Sequence, residues 1–297
     1  MDTTHLAAPA REMLQLSLEE RINRIQVDKW VGYDLARQTL AKLTDLSIHP
    51  ASTRMPCMLL VGDSNNGKTH ILKRFAALHP PKDDPSACHV SVPVLYLEAP
   101  AVPSEARLYE SILDRLFAPY RSSDRVQKKQ AQVVALLRQV DLQLLIIDEM
   151  SNALAGSVTK QREVLNAIKF LANEVGRPII AAGVRDSLRL MQMDEQIGNR
   201  FEPVLLPRWT LNMDYYRLLS SLEAMTPLSR PSGLGNEEMA AKLMSMSEGL
   251  IGETCQLVKR AAIEAIRSKE EQITPAILGR LGWVAPSRRR RQIEVSG

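Results

Sequence analysis

The chain has 297 residues, 45% of them hydrophobic and 24% charged, with a formal net charge of +4. That composition suits one large or two modest globular domains with a real core, and no apolar run reaches the roughly 18 residues of a membrane span. Arg288 to Arg291 set against Glu294 supply +3 of the charge, so the body is not basic, and any nucleic-acid contact there must come from local patches. The opening MDTTHLAAPAREMLQ lacks a basic segment followed by an apolar one, which reads against a secretory signal. Cys57, Cys88 and Cys255 are scattered without a C-x-x-C pair, which argues against a disulfide framework or a zinc site and fits a reducing cytoplasm.

Residues 1–16 have weak periodicity and read as a flexible arm. Ser17 has the position of an N-cap, with Glu20 at the capping-box spacing. Helices are expected near 17–28 and 34–46. Between them, Trp30-Val31-Gly32-Tyr33 has two readings: apolar faces for an adenine base, or anchors of a helical hairpin on a core. His49-Pro50 and Met55-Pro56 break the helical pattern.

Cys57-Met58-Leu59-Leu60-Val61 reads as a buried strand, and His70 to Phe75 as the start of a helix. Between them stands Gly62-Asp63-Ser64-Asn65-Asn66-Gly67-Lys68-Thr69, the phosphate-binding pattern G-x-x-x-x-G-K-[ST]. Backbone N–H groups in such a loop point at phosphates, and the following helix adds the positive end of its dipole. Gly62 and Gly67 allow the backbone approach that a Cβ would block. Lys68 is placed to reach the β- and γ-phosphates, and Thr69 to ligate Mg²⁺. The implied ligand is ATP with Mg²⁺.

Pro80 to Pro85 reads as a surface loop and Val92 to Leu97 as a second buried strand. Helices follow near Ser104–Phe117, capped by Ser104, and near 124–140. Leu142 to Ile147 then ends in Asp148-Glu149, the Walker B pattern. A buried parallel strand delivers such carboxylates to the sheet edge where the nucleotide lies. Asp148 is expected to hold Mg²⁺ through its water, and Glu149 to act as general base. Residues 150–162 read as a polar, basic loop opening a helix at Glu163–Val175. Pro178 to Ala182 reads as a fourth strand, a short helix is placed near Asp186–Met193, and Val204-Leu205-Leu206 reads as a fifth strand.

Beyond Pro207 no buried strand appears. Helices are expected near Asn212–Ala224, Asn236–Ser247, Gly252–Arg267 and Thr274–Leu281, with Trp283 packed among them and a disordered basic tail from 286. The tail has three readings: a DNA contact, a contact to an acidic partner, or neither. The fold class is α/β: an AAA+ P-loop NTPase with a parallel five-stranded sheet flanked by helices, plus a small all-helical lid domain. The expected boundaries are an arm at 1–16, the nucleotide-binding domain at 17–207, the lid at 208–285 and the tail at 286–297.

Several stretches resemble the TniB family of AAA+ transposition proteins, related to TnsC and more distantly to MuB. They are WVGYDLA at 30–36, RMPCMLLVGDSNNGKTH at 54–70, LLIIDEMSNALAG at 144–156, LNAIKFLANE at 165–174, IGNRFEPVLLPRW at 197–209 and SEGLIGE at 247–253. RMP and NRFEPVLLPRW are more specific to that family than the Walker motifs. The resemblance implies an ATPase that oligomerises as a ring or filament on double-stranded target DNA and engages a DDE transposase (TniA-like), with a TniQ-like targeting protein as a further partner. The candidate nucleotide-contacting set takes in His70 and, on the adenine reading, Val31 and Tyr33, and the resemblance puts Arg200 at the arginine-finger position, serving a neighbouring subunit. It puts Thr159 and Lys160, with Arg162 in reserve, at the DNA phosphates.

Two departures stand out. Ala181-Ala182-Gly183-Val184 has no polar sensor residue, Arg185 being the nearest polar group. Gly249-Leu250-Ile251-Gly252 lacks the lid arginine, and Glu253 follows instead. Both point to tight ATP binding with slow turnover. A helicase loader or other remodelling ATPase would share the Walker motifs and Arg200. A small-molecule phosphotransferase would leave the lid and Arg200 without a role.

Overall fold

A computed structural model describes residues 3–50, 52, 54–83 and 90–289. Cys88, part of the expected loop after Pro80, and the tail from residue 290, including Arg290 and Arg291, lie outside the described residues. The chain forms two compact units. One is Leu35–Pro207, and the other joins the residues before Leu35 to those after Pro207.

The first unit holds five strands, β1 (Cys57–Gly62), β2 (Val94–Glu98), β3 (Leu144–Asp148), β4 (Ile179–Gly183) and β5 (Phe201–Leu206). All neighbours run parallel in the order β2-β3-β4-β1-β5. Every residue of β1, β3 and β4 is buried, as expected for a parallel sheet covered on both faces, whose strands read as unbroken apolar runs. Leu59, Leu97, Leu145 and Ile147 share one core with Leu108, Ile112, Leu165 and Ile168 of the flanking helices. Each such side chain contributes about 1.5–3 kcal/mol by leaving water. The strand order reverses beside β1, which places a ligand crevice outside its C-terminal end.

Helices α1 (Ala8–Glu12), α2 (Leu18–Gln26) and α3 (Asp34–Ser47) precede β1, and α4 (Lys68–Leu78) follows it. Then come α5 (Glu105–Arg115), α6 (Val126–Gln139), α7 (Val158–Val175), α8 (Arg185–Gln192) and α9 (Glu195–Gly198). Ser104 occupies the N-cap of α5, but its side chain accepts no capping bond.

The second unit contains α10 (Met213–Met225), α11 (Glu237–Ser247), α12 (Ile251–Arg267) and α13 (Pro275–Arg280), together with α1 and α2. This corrects two expected boundaries. Residues 17–34 do not belong with the sheet, because Ile22 and Ile25 bury themselves in the cluster of Leu218, Leu219, Leu257 and Ala261. Arg21 pairs with Glu271 at 2.6 Å, and Lys29 donates to the Met225 carbonyl at 2.9 Å. The arm is also more structured than its sequence suggested: α1 is helical, Leu6 and Ala10 are buried, and the Ala7 amide donates to the Ala224 carbonyl at 2.8 Å. The Ser17–Glu20 capping box does form.

Other polar links hold this unit together. Glu223 accepts from the amides of Ser232, Gly233 and Leu234, so the connector between α10 and α11 is clamped. Thr274 caps α13, and Asn212 caps α10. The first four residues of the expected tail, 286–289, are helical. Arg289 pairs with Glu253 and lies over the Trp283 ring, and Trp283 donates to the Met246 carbonyl at 3.0 Å.

Three of the stretches used for the family resemblance meet at Trp209. Its amide donates to the Gly249 carbonyl at 2.8 Å, and its ring receives Tyr33 edge-on at 4.9 Å between centroids. A Cβ at Gly249, whose φ is +71°, would overlap the Trp209 carbonyl oxygen.

Candidate nucleotide site

The strand–loop–helix expected around Gly62 is present. β1 ends at Gly62, which lies in register with Leu206 on β5. A Cβ on Gly62 would stand 3.0 Å from the Leu206 carbonyl oxygen and 3.1 Å from its Cβ, so a larger residue would need the β5 backbone to give by a few tenths of an ångström. Gly67 turns the chain into α4 with φ of +89°, where glycine carries no steric penalty. Asn65 also has positive φ, +60°, a region that Asn tolerates better than most residues. Ser64, Asn65 and His70 are exposed, while Asp63 and Thr69 are half-buried.

Asn66 faces inward instead. It is 2% exposed, and its amide nitrogen donates to the carbonyls of Leu206 at 2.9 Å and Pro207 at 3.0 Å. Lys68 is 6% exposed, and its ammonium donates to the Gly62 and Asp63 carbonyls, both at 2.9 Å. Burial pushes the Lys68 ammonium below its ordinary pKa, while Glu149, Asp148 and Asp63 pull it back up. A buried cation spending two of its three donors on loop carbonyls, beside a fully buried carboxylate, is a site with the charge and donors for phosphate and a divalent cation.

The acids arrive on β3. Asp148 is fully buried at the strand's end. One carboxylate oxygen accepts the Glu149 amide at 2.8 Å, and the other accepts the Tyr96 hydroxyl at 2.9 Å. Burial first, and then Asp148, pushes the Tyr96 phenol well above its ordinary pKa, so it stays a donor. At Glu149 the backbone switches to the left-handed region, φ +54° and ψ +43°, which turns this side chain out to solvent while its neighbour stays inside. A non-glycine residue held there costs on the order of 1–3 kcal/mol, a cost often met at functional sites. The Ser151 hydroxyl donates to the Glu149 carboxylate at 3.2 Å.

β4 supplies no polar group at this edge for a steric reason. A Cβ at Gly183 would overlap the Ser187 hydroxyl of α8, so the strand end has no room for a side chain. Arg185, 83% exposed, approaches Asp63 of the loop at 4.0 Å.

Arg200 lies elsewhere. It follows α9 and precedes Phe201, which is in register with Cys57 at the N-terminal end of β1. Five residue steps of strand, roughly 17 Å, separate that edge from Gly62. The Arg200 guanidinium donates to the Asn173 side chain at 2.6 Å, while its Nε is buried with no hydrogen-bond partner among the described residues.

The basic stretch after Glu149 is not the loop expected. A 3₁₀ turn spans Met150–Ala155, and α7 begins at Val158 rather than Glu163 because Ser157 caps it, accepting from the Lys160 amide at 3.4 Å. Thr159, Lys160 and Arg162 therefore lie exposed on the first turns of a helix, with Lys160 paired to Glu163 at 2.8 Å. Val31 and Tyr33 pack on the helical unit's core, the anchoring alternative for that stretch.

Sequence reasoning missed Tyr96 and the inward turn of Asn66. The signal for Tyr96 was an aromatic hydroxyl two residues before the acid, Glu98, that pairs in register with Asp148.

A family model for the bacterial TniB protein matches residues 21–211. No curated protein matches the chain. Among solved structures, Cdc6p of Pyrobaculum aerophilum is 17% identical with a TM-score of 0.59, over 86% of this chain and 69% of that one. Aeropyrum pernix ORC1, solved in complex with DNA, is 15% identical with a TM-score of 0.57, over 92% and 69%. Domain III of the Thermotoga maritima replication initiation protein DnaA is 13% identical with a TM-score of 0.54, over 89% and 97%. At these identities the structures share the AAA+ fold. The sheet, the phosphate loop and a match over well over half of the sequence agree: the chain belongs to the TniB family and is an AAA+ ATPase.

Proposed function

We propose that the protein is an ATP-dependent DNA-binding regulator of transposition. It assembles on double-stranded target DNA as a ring or filament and recruits or activates a DDE transposase, with a TniQ-like protein as a further partner and slow ATP hydrolysis as the switch. The observation that carries this reading is the separation of Arg200 from Gly62–Thr69: the chain's own arginine lies at the wrong edge of the sheet to serve its own phosphate loop. In this reading a neighbouring subunit supplies that charge.

In this reading the backbone and side chains of Gly62 to Thr69, with His70, bind the phosphates, and Lys68 exchanges its carbonyl acceptors for β- and γ-phosphate oxygens. Thr69 and Asp148 would hold Mg²⁺, whose charge would offset that of the phosphates when bound. Glu149 takes a proton from the attacking water. The closed end of β4 offers no side chain to orient that water, which supports slow turnover.

Thr159, Lys160 and Arg162 meet DNA phosphates. The exposed Lys160–Glu163 pair is worth at most about 1 kcal/mol and yields readily, and the α7 N-terminus favours anions. Asn173, which holds Arg200, sits on the same helix. No helix among the described residues is long and apolar enough to cross a membrane.

Filter binding or electron microscopy with duplex DNA, Mg²⁺ and a non-hydrolysable ATP analogue, compared with ADP, tests the proposal. Lys68→Ala should abolish ATP binding and ATP-dependent DNA association together. DNA binding by that variant at full strength without nucleotide would sink the switch.

A further inference from the structure

Asp148 is the only fully buried carboxylate among the described residues, and its two oxygens are not held alike. One accepts a backbone amide that directly follows it in the chain. The other accepts a side chain from a different strand, the Tyr96 hydroxyl of β2 at 2.9 Å. We infer that Tyr96 is a positioning residue for Mg²⁺: its hydroxyl sets the plane of the Asp148 carboxylate and thereby the cation affinity of the nucleotide site. This rests on the reading of Asp148 as the carboxylate that holds the metal.

The placement is specific. The same hydroxyl stands 3.5 Å from the Glu98 carboxylate, at the limit of a hydrogen bond, so it favours Asp148 over the acid on its own strand. The ring is braced from the nucleotide-loop helix. Lys73 of α4 sits over it at 5.4 Å and reaches Glu98 at 3.6 Å. Tyr96 is thus tied to the helix that begins with Lys68 and Thr69 and to the strand that carries Asp148. A carboxylate oxygen has two lone pairs, so the Tyr96 bond leaves Asp148 able to accept a metal-bound water as well. Partners of this kind orient ligands, and removing one typically lowers metal affinity about 10–100-fold.

Tyr96→Phe keeps the ring and its packing and deletes only the donor. A fluorescent ATP analogue is titrated against wild type and variant in EDTA, and then at fixed analogue across a MgCl₂ series. The expected result is unchanged affinity in EDTA, with the Mg²⁺ concentration for half-maximal enhancement of binding raised about tenfold or more. An unchanged Mg²⁺ midpoint overturns the role, and so does an equal loss of affinity in EDTA, which would mark Tyr96 as structural. If wild type binds the analogue but shows no Mg²⁺ enhancement, the assignment of Asp148 falls and this role falls with it. Tyr96→Leu, which also removes the ring, should shift the midpoint at least as far as Phe. A smaller shift than Phe would overturn the assignment to the hydroxyl.

Discussion

The two edges of the parallel sheet carry opposite kinds of polar group. At the C-terminal edge, Lys68, Asn66, Asp148 and Tyr96 are tied to one another's strands and loops by bonds of 2.8–3.0 Å. At the N-terminal edge, the Arg200 guanidinium donates to Asn173, and its buried Nε has no hydrogen-bond partner among the described residues. The first edge is tied together largely within the chain, although Asn66 Oδ1 and the Ser187 hydroxyl are also buried there without a hydrogen-bond partner among the described residues. The second holds a cation that lies away from the phosphate loop of its own chain, as the proposed action on a neighbouring subunit requires.

The largest expected effect breaks the comparison at its weaker side. Arg200→Ala should lower ATP turnover in assemblies by about 10³-fold or more, the range seen when an arginine finger is removed. Nucleotide binding by the isolated chain should be untouched, because Arg200 lies far from the phosphate loop. Mixing makes the test sharper. Arg200→Ala subunits hold ATP but lack the arginine, whereas Lys68→Ala subunits lack ATP but present it. Turnover should reappear when the two inactive variants are combined, and a mixture as inactive as its parts would refute action between subunits.

Glu149→Gln comes next, at the C-terminal edge. The substitution keeps size and solvent exposure and removes the base, so hydrolysis should fall by about 10²-fold or more, while ATP binding persists and DNA-bound assemblies last longer. Assemblies that dissolve instead would show that the exposed carboxylate holds the structure rather than the water.

How much of this was legible in the sequence follows from the range of each interaction. Gly62 to Thr69 and Asp148-Glu149 stood out because phosphate chemistry fixes short local spacings, and β1, β3 and β4 showed as apolar runs because both of their faces are covered, whereas only Val204 to Leu206 of the partly exposed edge strand β5 could be read. The start of α7 was misplaced since Ser157, a cap, looked like loop polarity. Residues 17–34 group with the helical unit rather than with the sheet as expected, because their partners, Met225 and Glu271, lie some two hundred residues away in sequence. Tyr96 meets Asp148 across 52 residues, and only the β2–β3 register brings them together. Asn66 looked like one more loop position, yet it binds carbonyls 140 residues on.

That last contact joins the two edges. β5 begins beside Arg200 and ends at Leu206, whose carbonyl, with that of Pro207, is held by Asn66. One strand thus has the arginine at its start and the phosphate loop at its finish. Asn66→Ala removes both donors and leaves two carbonyls in need of water at a largely enclosed position. The loss should be about 1–3 kcal/mol of stability, read by chemical denaturation, with ATP affinity reduced far less than in Lys68→Ala. If the strand transmits the state of the loop, Arg200-dependent turnover in assemblies should fall further than ATP binding does. Turnover and binding that fall in strict proportion would mean that Asn66 supports the loop alone and that the two edges act independently.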